Sequence, residues 1–454
     1  MLPKPPVHTQ GNLFQSPLLD MLDTRDPLIA LADAIDWGYF EKSFARYYSQ
    51  EGSPAKPIRL MVGLLLLKQI ENLSDENIVL QWKRNPYYQY FCGMQEYQPA
   101  FPCHPTELVK FRKRIGKEGV EAIFAMSVKL HGQAAEEKEV IVDTTVQEKN
   151  ITYPTDGKLA IKMIHRLHRI AKEEGIRLRR TYVKEIKEHR IKLRYFRHPK
   201  KIKKAKASMK RLKTIVGILI RDLSRNLSKE RLEHYRETFE RFEKVVNQKP
   251  KDKNKIYSLH EPHIYAVAKG KDHKKYEYGT KASVVMTKKS GIILGVTAHE
   301  KNEHDSKTLE AALSHAKRHR SKPIKEAICD RGYRGTKEVD GTLICVPGKP
   351  LKRDSQYQKE QKRKKFRRRA AIEPIIGHLK SDHRLERNYL KGFIGDEINL
   401  LLAAAAFNLK KWMKHFLWWL FFWKLGIILS WLMQQDTRER EKYPHILLSI
   451  YQVW

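Results

Sequence analysis

The chain has 454 residues, of which 41% are hydrophobic and 10% aromatic, enough apolar material for more than one packed core, which excludes global disorder. Lys and Arg total 89 against 52 Asp and Glu, a net charge of +37 that draws in polyanions and disfavours cationic partners. Four cysteines with no CxxC spacing exclude a disulfide framework and a zinc ribbon, and point to a reducing compartment.

The first twenty residues hold no basic stretch leading into an apolar run, so no secretory signal is expected and the reading is a cytosolic protein that binds nucleic acid. Short apolar clusters, Leu18 to Leu22 and Leu28 to Trp37, follow between prolines and charges. Pro57 suits the first turn of a helix, and the run Ile58 to Ile70 is apolar nearly all round, so that helix should be central. Ser74, followed by Asp75 and Glu76, reads as the N-cap of a helix that stops near Asn85-Pro86. TELVKFRKRIG (106–116) and VEAIFAMSVKLHG (120–132) give two more helices, parted at Gly116. Residues 1–135 therefore read as an all-α N-terminal domain. In its 106–116 helix, Lys110, Arg112, Lys113 and Arg114 lie beside apolar Leu108, Phe111 and Ile115. That basic face suits a DNA major groove, and a solvated face on a core helix is the competing reading.

From Glu139 the texture changes. EVIVDTT (139–145) is a β-branched run carrying an acid, as expected of a buried strand. Residues 158–256 form a basic helical insertion with dense cationic runs at 177–190, which holds Tyr182, and at 198–211, with Tyr195 and Phe196 between them. These suit phosphate contact, and the same insertion suits a dimer-forming coiled coil. His165 and His168 are spaced i,i+3 on a helix with no third ligand in view. Strand texture returns in 263–269, 278–287 and 291–299, with a hairpin turn at Ser290-Gly291. Asp305-Ser306 caps a helix through Leu309 to Ala316; EAICD (326–330) and GTLICVP (341–347) are further strands. A basic helical segment, 365–383, precedes a closing helix, 397–412. The whole is α/β, a mixed sheet with flanking helices, built from 136–157 and 257–410 and interrupted by the insertion after its first strand. The tail, 411–454, contains an apolar run, Phe416 to Met433, about long enough to cross a bilayer but broken by Lys424. Burial against the core or a partner is preferred over a membrane span.

Three acids stand out: Asp143 ends the first strand, Asp330 ends EAICD, and Glu373 lies on the basic segment. Ligand sites in open sheets lie beyond strand ends, so the two aspartates face one crevice and a packed helix can deliver the third acid. An all-oxygen set suits Mg²⁺ or Mn²⁺, and two such ions about 4 Å apart serve phosphoryl transfer. Spacing alone is a weak signal, because an acid at a strand end is commonly a turn residue. The surroundings strengthen it. CDRGYRG sets Asp330 beside Arg331 and two glycines, and Arg367, Arg368, Arg369 and Lys380 flank Glu373. Pro374 marks either a kink or a helix start at the glutamate.

The frame Phe366, Arg369, Glu373, Lys380 resembles the signature of insertion-sequence transposases of the DDE class, in the IS-five branch of the IS-four-like group. There a Tyr is followed by Arg at the third position, Glu at the fourth after that, and Lys at the seventh after that. Every interval is kept, with Phe366 in place of the Tyr, so the ring remains and the hydroxyl is lost. The segments 74–93, 104–116 and 302–313 also resemble that family. The resemblance implies a ribonuclease-H-like fold, metal binding by Asp143, Asp330 and Glu373, and DNA-end contacts at Arg369 and Lys380. It further implies recognition of terminal inverted repeats, 3′-end nicking and strand transfer by a homodimer in a synaptic complex on double-stranded DNA. Between the aspartates lie 187 positions and between Asp330 and Glu373 only 43, so the insertion sits earlier than in several relatives. A metal-dependent nuclease that never joins strands, and a DNA-binding relic without chemistry, remain the alternatives.

Overall fold

The computed structural model describes residues 16–49, 51–249, 251–268, 275–348 and 353–434, with side chains in the last helix described to Trp418 and at Phe421. The N-terminal third is helical, as its capping pattern dictates. Ile58–Ile70 buries every residue except Arg59, which spreads its guanidinium over the Trp37 ring. Ser74 Oγ accepts the Asn77 N–H at 3.1 Å to open Asp75–Arg84, and Asn85 both ends that helix and caps Pro86–Phe91. Pro105–Lys129 is two helices joined at Gly116, whose φ of 58° and ψ of −159° break the hydrogen-bond ladder without a Cβ penalty.

The sheet has eight strands: β1 (Glu139–Lys149), β2 (Tyr265–Ala268), β3 (Tyr276–Thr287), β4 (Ile293–His299), β5 (Glu326–Ile328), β6 (Glu338–Val339), β7 (Thr342–Cys345) and β8 (Arg387–Asn388). β1 is central. It pairs antiparallel with β3 along most of its length, and parallel with β5 at one end and β8 at the other. β4 and β2 extend the sheet beyond β3, and β7 and β6 beyond β5. This is the expected mixed α/β arrangement. β1 runs longer than expected, however: it continues six residues past Asp143, because β3 goes on pairing with it after β5 has stopped. Asp305–Lys317 packs on β4 and β3, while Ile372–Ser381 packs on β1. The Asp305–Lys317 helix is capped by His304, not by Asp305 as expected; the His304 imidazole takes the Ser306 N–H, leaving the Asp305 carboxylate free to turn elsewhere.

The closing helix, Gly392–Gln434, passes through the centre of the molecule, with Leu400 to Ala406 buried against the N-terminal helices and β4. Its segment Gly392–Trp418 is long and apolar enough to cross a membrane, yet 72% of its most apolar stretch is buried inside the protein, as in a core helix. Leu417, Trp418 and Phe421 are exposed. The reading of the 416–433 run otherwise falls on side chains outside those described.

Between β1 and β2 the chain forms four helices, Asp156–Glu173, Val183–Lys192, Ile202–Asn226 and Lys229–Asn247, which bury their own set of residues, including Leu167, Leu219 and Phe239. Its two ends meet in a buried polar knot. Lys149 Nζ lies 2.6 Å from Asp396 Oδ1 and 3.6 Å from Glu261 Oε2, and His263 Nε2 is 3.1 Å from Asp396 Oδ2. Asn388 and Gln147 complete the knot from β8 and β1.

Candidate active site

Asp143 lies in β1 and Asp330 just beyond its parallel neighbour β5. β1 and β5 pair in parallel as far as Ile141 and Ile328; Asp143 lies two residues further along β1, and Asp330 lies two residues past the end of β5, where it caps the turn Arg331–Tyr333. β5 ends there and β8 joins β1 only at Glu148, leaving a gap along that edge of β1. Asp143 Oδ1 accepts the Thr144 N–H at 2.7 Å, and Asp330 Oδ1 accepts the Gly332 N–H at 2.8 Å, so both carboxylates are held by local backbone.

Glu373 lies in the first turn of Ile372–Ser381 and is largely exposed. The basic segment is not one helix. Gln356–Arg369 ends, Ala370 and Ala371 turn, and a new helix begins at Ile372. Pro374 therefore sits in a first turn, where its missing N–H costs nothing, which resolves the choice between kink and helix start in favour of the start. Arg369 stands between the acids, 3.8 Å from Asp143 Oδ2 and 3.4 Å from Glu373 Oε1. Arg369 thus bridges Asp143 and Glu373, while Asp330 is held beyond the end of β5.

Three further groups at this crevice, Asp305, Tyr333 and Cys329, escaped the sequence reading. Asp305 Oδ1 accepts hydrogen bonds from Thr144 Oγ1 and Lys281 Nζ, both at 3.1 Å. The Tyr333 phenol is fully buried without a hydrogen-bond partner; burial and the charges of Asp305, Asp143 and Asp330 push its pKa up. Burial and the same two triad aspartates also push the Cys329 thiol up, which keeps it protonated and unsuited to act as a nucleophile. The only sequence signal for Asp305 was its place at the head of a helix.

The expected DNA contacts divide. Lys110 and Arg114 are exposed on the 106–116 helix, Arg114 lying over the Tyr48 ring. Arg112 is a correction: it is buried, and its guanidinium grips both oxygens of Asp75 at 2.8 and 2.5 Å. Burial alone would raise the Asp75 carboxyl, but the Arg112 hydrogen bonds and the Lys68 charge hold it at about 2. Arg112 is therefore turned inward to neutralise a buried acid, which an amphipathic pattern could not reveal. Phe366 packs against the core, Arg331 is exposed, and Lys380 lies 3.7 Å from Glu277. Arg368 donates to the carbonyls of Lys288 and Lys289 at 2.8 Å each. In the insertion, Lys200, Lys201, Lys203, Lys204 and Lys206 are exposed, and Lys201 lies over Tyr195.

Among the described residues, three potential ligand atoms gather within 4.8 Å of one another at Glu121, His315 and His319, not at His165 and His168. His315 and His319 both place Nε2 on Glu121 Oε1, at 2.7 and 2.8 Å, and these contacts reverse the effect of burial and hold the Glu121 carboxyl at about 2. The Val296 N–H points at His315 Nδ1 at 3.2 Å, which puts the imidazole proton on Nε2. That proton is given to Glu121, so this cluster reads as a carboxylate clamp between two helices.

Known families give the same direction. The chain matches a family described as "Transposase domain (DUF772)" over residues 16–114 and one described as "Transposase DDE domain" over residues 254–409. Asp330 and Glu373 fall within the second segment; Asp143 and the insertion precede it. The chain is 39% identical over 203 residues to "Uncharacterized protein ORF8 in nfe locus" of Rhizobium meliloti, an alignment covering 44% of this chain and 98% of that protein. No solved structure matches it. With one matched segment on the N-terminal helices and the other on the sheet from β2 onward, the chain belongs to the DDE transposases of insertion sequences.

Proposed function

We propose that this transposase binds the terminal inverted repeats of its own insertion sequence, nicks their 3′ ends and joins them to target DNA, with Asp143, Asp330 and Glu373 as the acidic triad. The observation that carries the reading is Arg369 linking Asp143 to Glu373, with Asp143 and Asp330 each two residues beyond the last pair of the parallel strands β1 and β5. The strand order supports a ribonuclease-H-like catalytic unit: β4, β3 and β1 run antiparallel to their neighbours, and β5 and β7 follow parallel to β1. The signature intervals from Phe366 to Lys380 support placement in the IS-five branch.

The residues fit a divalent cation. The three acids supply only oxygen ligands, and a cationic guanidinium already sits between two of them, where positive charge holds like-charged groups together. Mg²⁺ or Mn²⁺, as a pair of ions, would activate a water or 3′-hydroxyl there and stabilise the leaving oxygen. Arg369, Lys380 and Arg331 then hold the phosphate in line and balance its charge. Lys110 and Arg114 of the N-terminal helices, together with the exposed lysines of the insertion, add phosphate contacts that fix position without reading sequence. The protein works as a homodimer on double-stranded DNA in the cytoplasm, at the nucleoid.

The test is cleavage and joining of a labelled duplex carrying the repeats that flank the gene, in Mg²⁺, in Ca²⁺, and with Asp330→Asn. Nicking at the repeat end plus a joined product in Mg²⁺, both lost in the variant, is the expected result. Nicking without joining in the presence of target DNA would make the protein a nuclease. Binding with no cut under any metal would remove the catalytic assignment.

A further inference from the structure

The second aspartate of the crevice has a neighbour across a single glycine. A Cβ built on Gly332 would lie 3.0 Å from Asp305 Oδ2 and 3.0 Å from Asp330 Oδ1, so the two carboxylates flank one gap that a side chain would enter only by displacing them by a few tenths of an ångström. On its other oxygen Asp305 holds Thr144 and Lys281, and the Thr144 N–H in turn holds Asp143. Lys281 is tied down as well, giving a second hydrogen bond to the Glu303 carbonyl at 2.6 Å. The Tyr333 hydroxyl is buried near the same acids and has no hydrogen-bond partner among the described residues.

We propose that Asp305 is a positioning residue of this site: through Thr144 it sets Asp143, and across Gly332 it presents a carboxylate instead of a donor to Asp330, so that both aspartates keep oxygen atoms for a divalent cation. The inference rests on the reading of Asp143 and Asp330 as cation ligands. Lys281 neutralises one oxygen of Asp305 and leaves the other to face Asp330. Asp330 Oδ1 already accepts the Gly332 N–H, and a carboxylate across that glycine adds no second donor to it, whereas a donor in the same place would engage the oxygen further. Gly332 matters here because the carboxylates close on it, not because of its backbone, whose φ is not in the left-handed region.

Asp305→Asn separates these roles. The amide oxygen still accepts from Thr144 and Lys281, so the fold is kept, but its NH₂ is turned toward Asp330 Oδ1 and ties up a ligand oxygen. Gly332→Ala reaches the same end by pushing the two carboxylates apart. Mn²⁺ binding to the full chain, followed by electron paramagnetic resonance without DNA, should weaken about 10-fold in each variant, the lower end of what losing an outer partner costs a metal site. Circular dichroism and melting temperature should stay at the wild-type values in Asp305→Asn. Asp143→Asn and Asp330→Asn are run beside them. If those two lose Mn²⁺ while Asp305→Asn and Gly332→Ala bind it as the wild type does, the positioning role is wrong and the triad stands. If all four bind Mn²⁺ unchanged, the cation is elsewhere and both readings fall.

Discussion

The N-terminal helices and the insertion are both helical and both lie outside the sheet in sequence, yet they are joined to it in opposite ways. The N-terminal helices share one continuous core with the sheet: Leu64, Phe124, Val140, Val284 and Ala404 belong to a single buried cluster. The insertion keeps a separate cluster around Leu167, Leu219 and Phe239 and touches the sheet mainly at its neck. A boundary at residue 135 therefore divides the sequence without dividing the core, whereas the insertion is a body of its own. The lesson is that helical texture says nothing about whose core a helix completes; that depends on which face meets which partner. The Ile58–Ile70 helix is apolar all round and has to be enclosed, while Ile202–Asn226 is apolar on one side only and is satisfied by three neighbours from the same insertion.

The sharpest way to break this contrast is Asp75→Asn. It leaves Arg112 and Lys68 charged and buried without their anion, a loss of about 3–5 kcal/mol. Amide exchange should then rise together in the N-terminal helices and in β1 and β3, because they stand or fall as one core. Exchange confined to the N-terminal helices would show two cores where one is described. The converse substitution, Leu219→Ala, removes a buried side chain from the insertion and should cost about 3 kcal/mol. Its effect should stay within residues 156–247, with the protection of β1 unchanged; spread into the sheet would mean the neck couples the two bodies.

A smaller effect sharpens the picture by pH. Burial holds the His383 imidazole down at about 4, and its Nδ1–H donates to the Gln69 carbonyl at 3.1 Å, joining the Ile58–Ile70 helix to the segment before β8. The native state keeps this ring neutral while the unfolded chain takes up a proton below about 6.5. Its contribution is therefore present above pH 6.5 and is lost as pH falls toward 4, amounting to about 2 kcal/mol by pH 5. His383→Asn keeps a donor for Gln69 and removes the titration. The fall in melting temperature between pH 7 and 5 should be shallower in that variant, and an identical slope would assign the acid sensitivity to other groups.

The parts legible in the sequence are those decided by neighbours along the chain. Pro57, Ser74, Asn85 and Gly116 set helix ends, and each sits at the end it was expected to mark. Asp143 and Asp330 stood out because acids in or beside β-branched runs are chemically conspicuous; Asp330 lies just past β5, whereas Asp143, expected at the end of its strand, lies in the middle of β1. What stayed hidden depends on partners far away in sequence. The length of β1 is set by β3, more than a hundred residues on, and Arg112 reads as a surface cation until Asp75 is placed beneath it. Asp305 looks like a helix cap, because Thr144 and Lys281, which give it another task, come from two different strands. Glu121 and the His315–His319 pair meet only when two helices from opposite ends of the chain are laid together.

The knot at the neck of the insertion bears on how the molecule reaches its fold. Pairing Glu148 with Gly279 closes a loop of about 130 residues, an entropic cost that would slow formation of the central strand pair. Because Lys149 and Glu261 meet at the neck, an insertion already folded on its own core turns that long loop into a short one. The saving is about 1.5 kcal/mol of loop-closure entropy if the effective loop shrinks to some twenty residues. The insertion then acts before the sheet exists, as the element that brings β1 and β3 within reach.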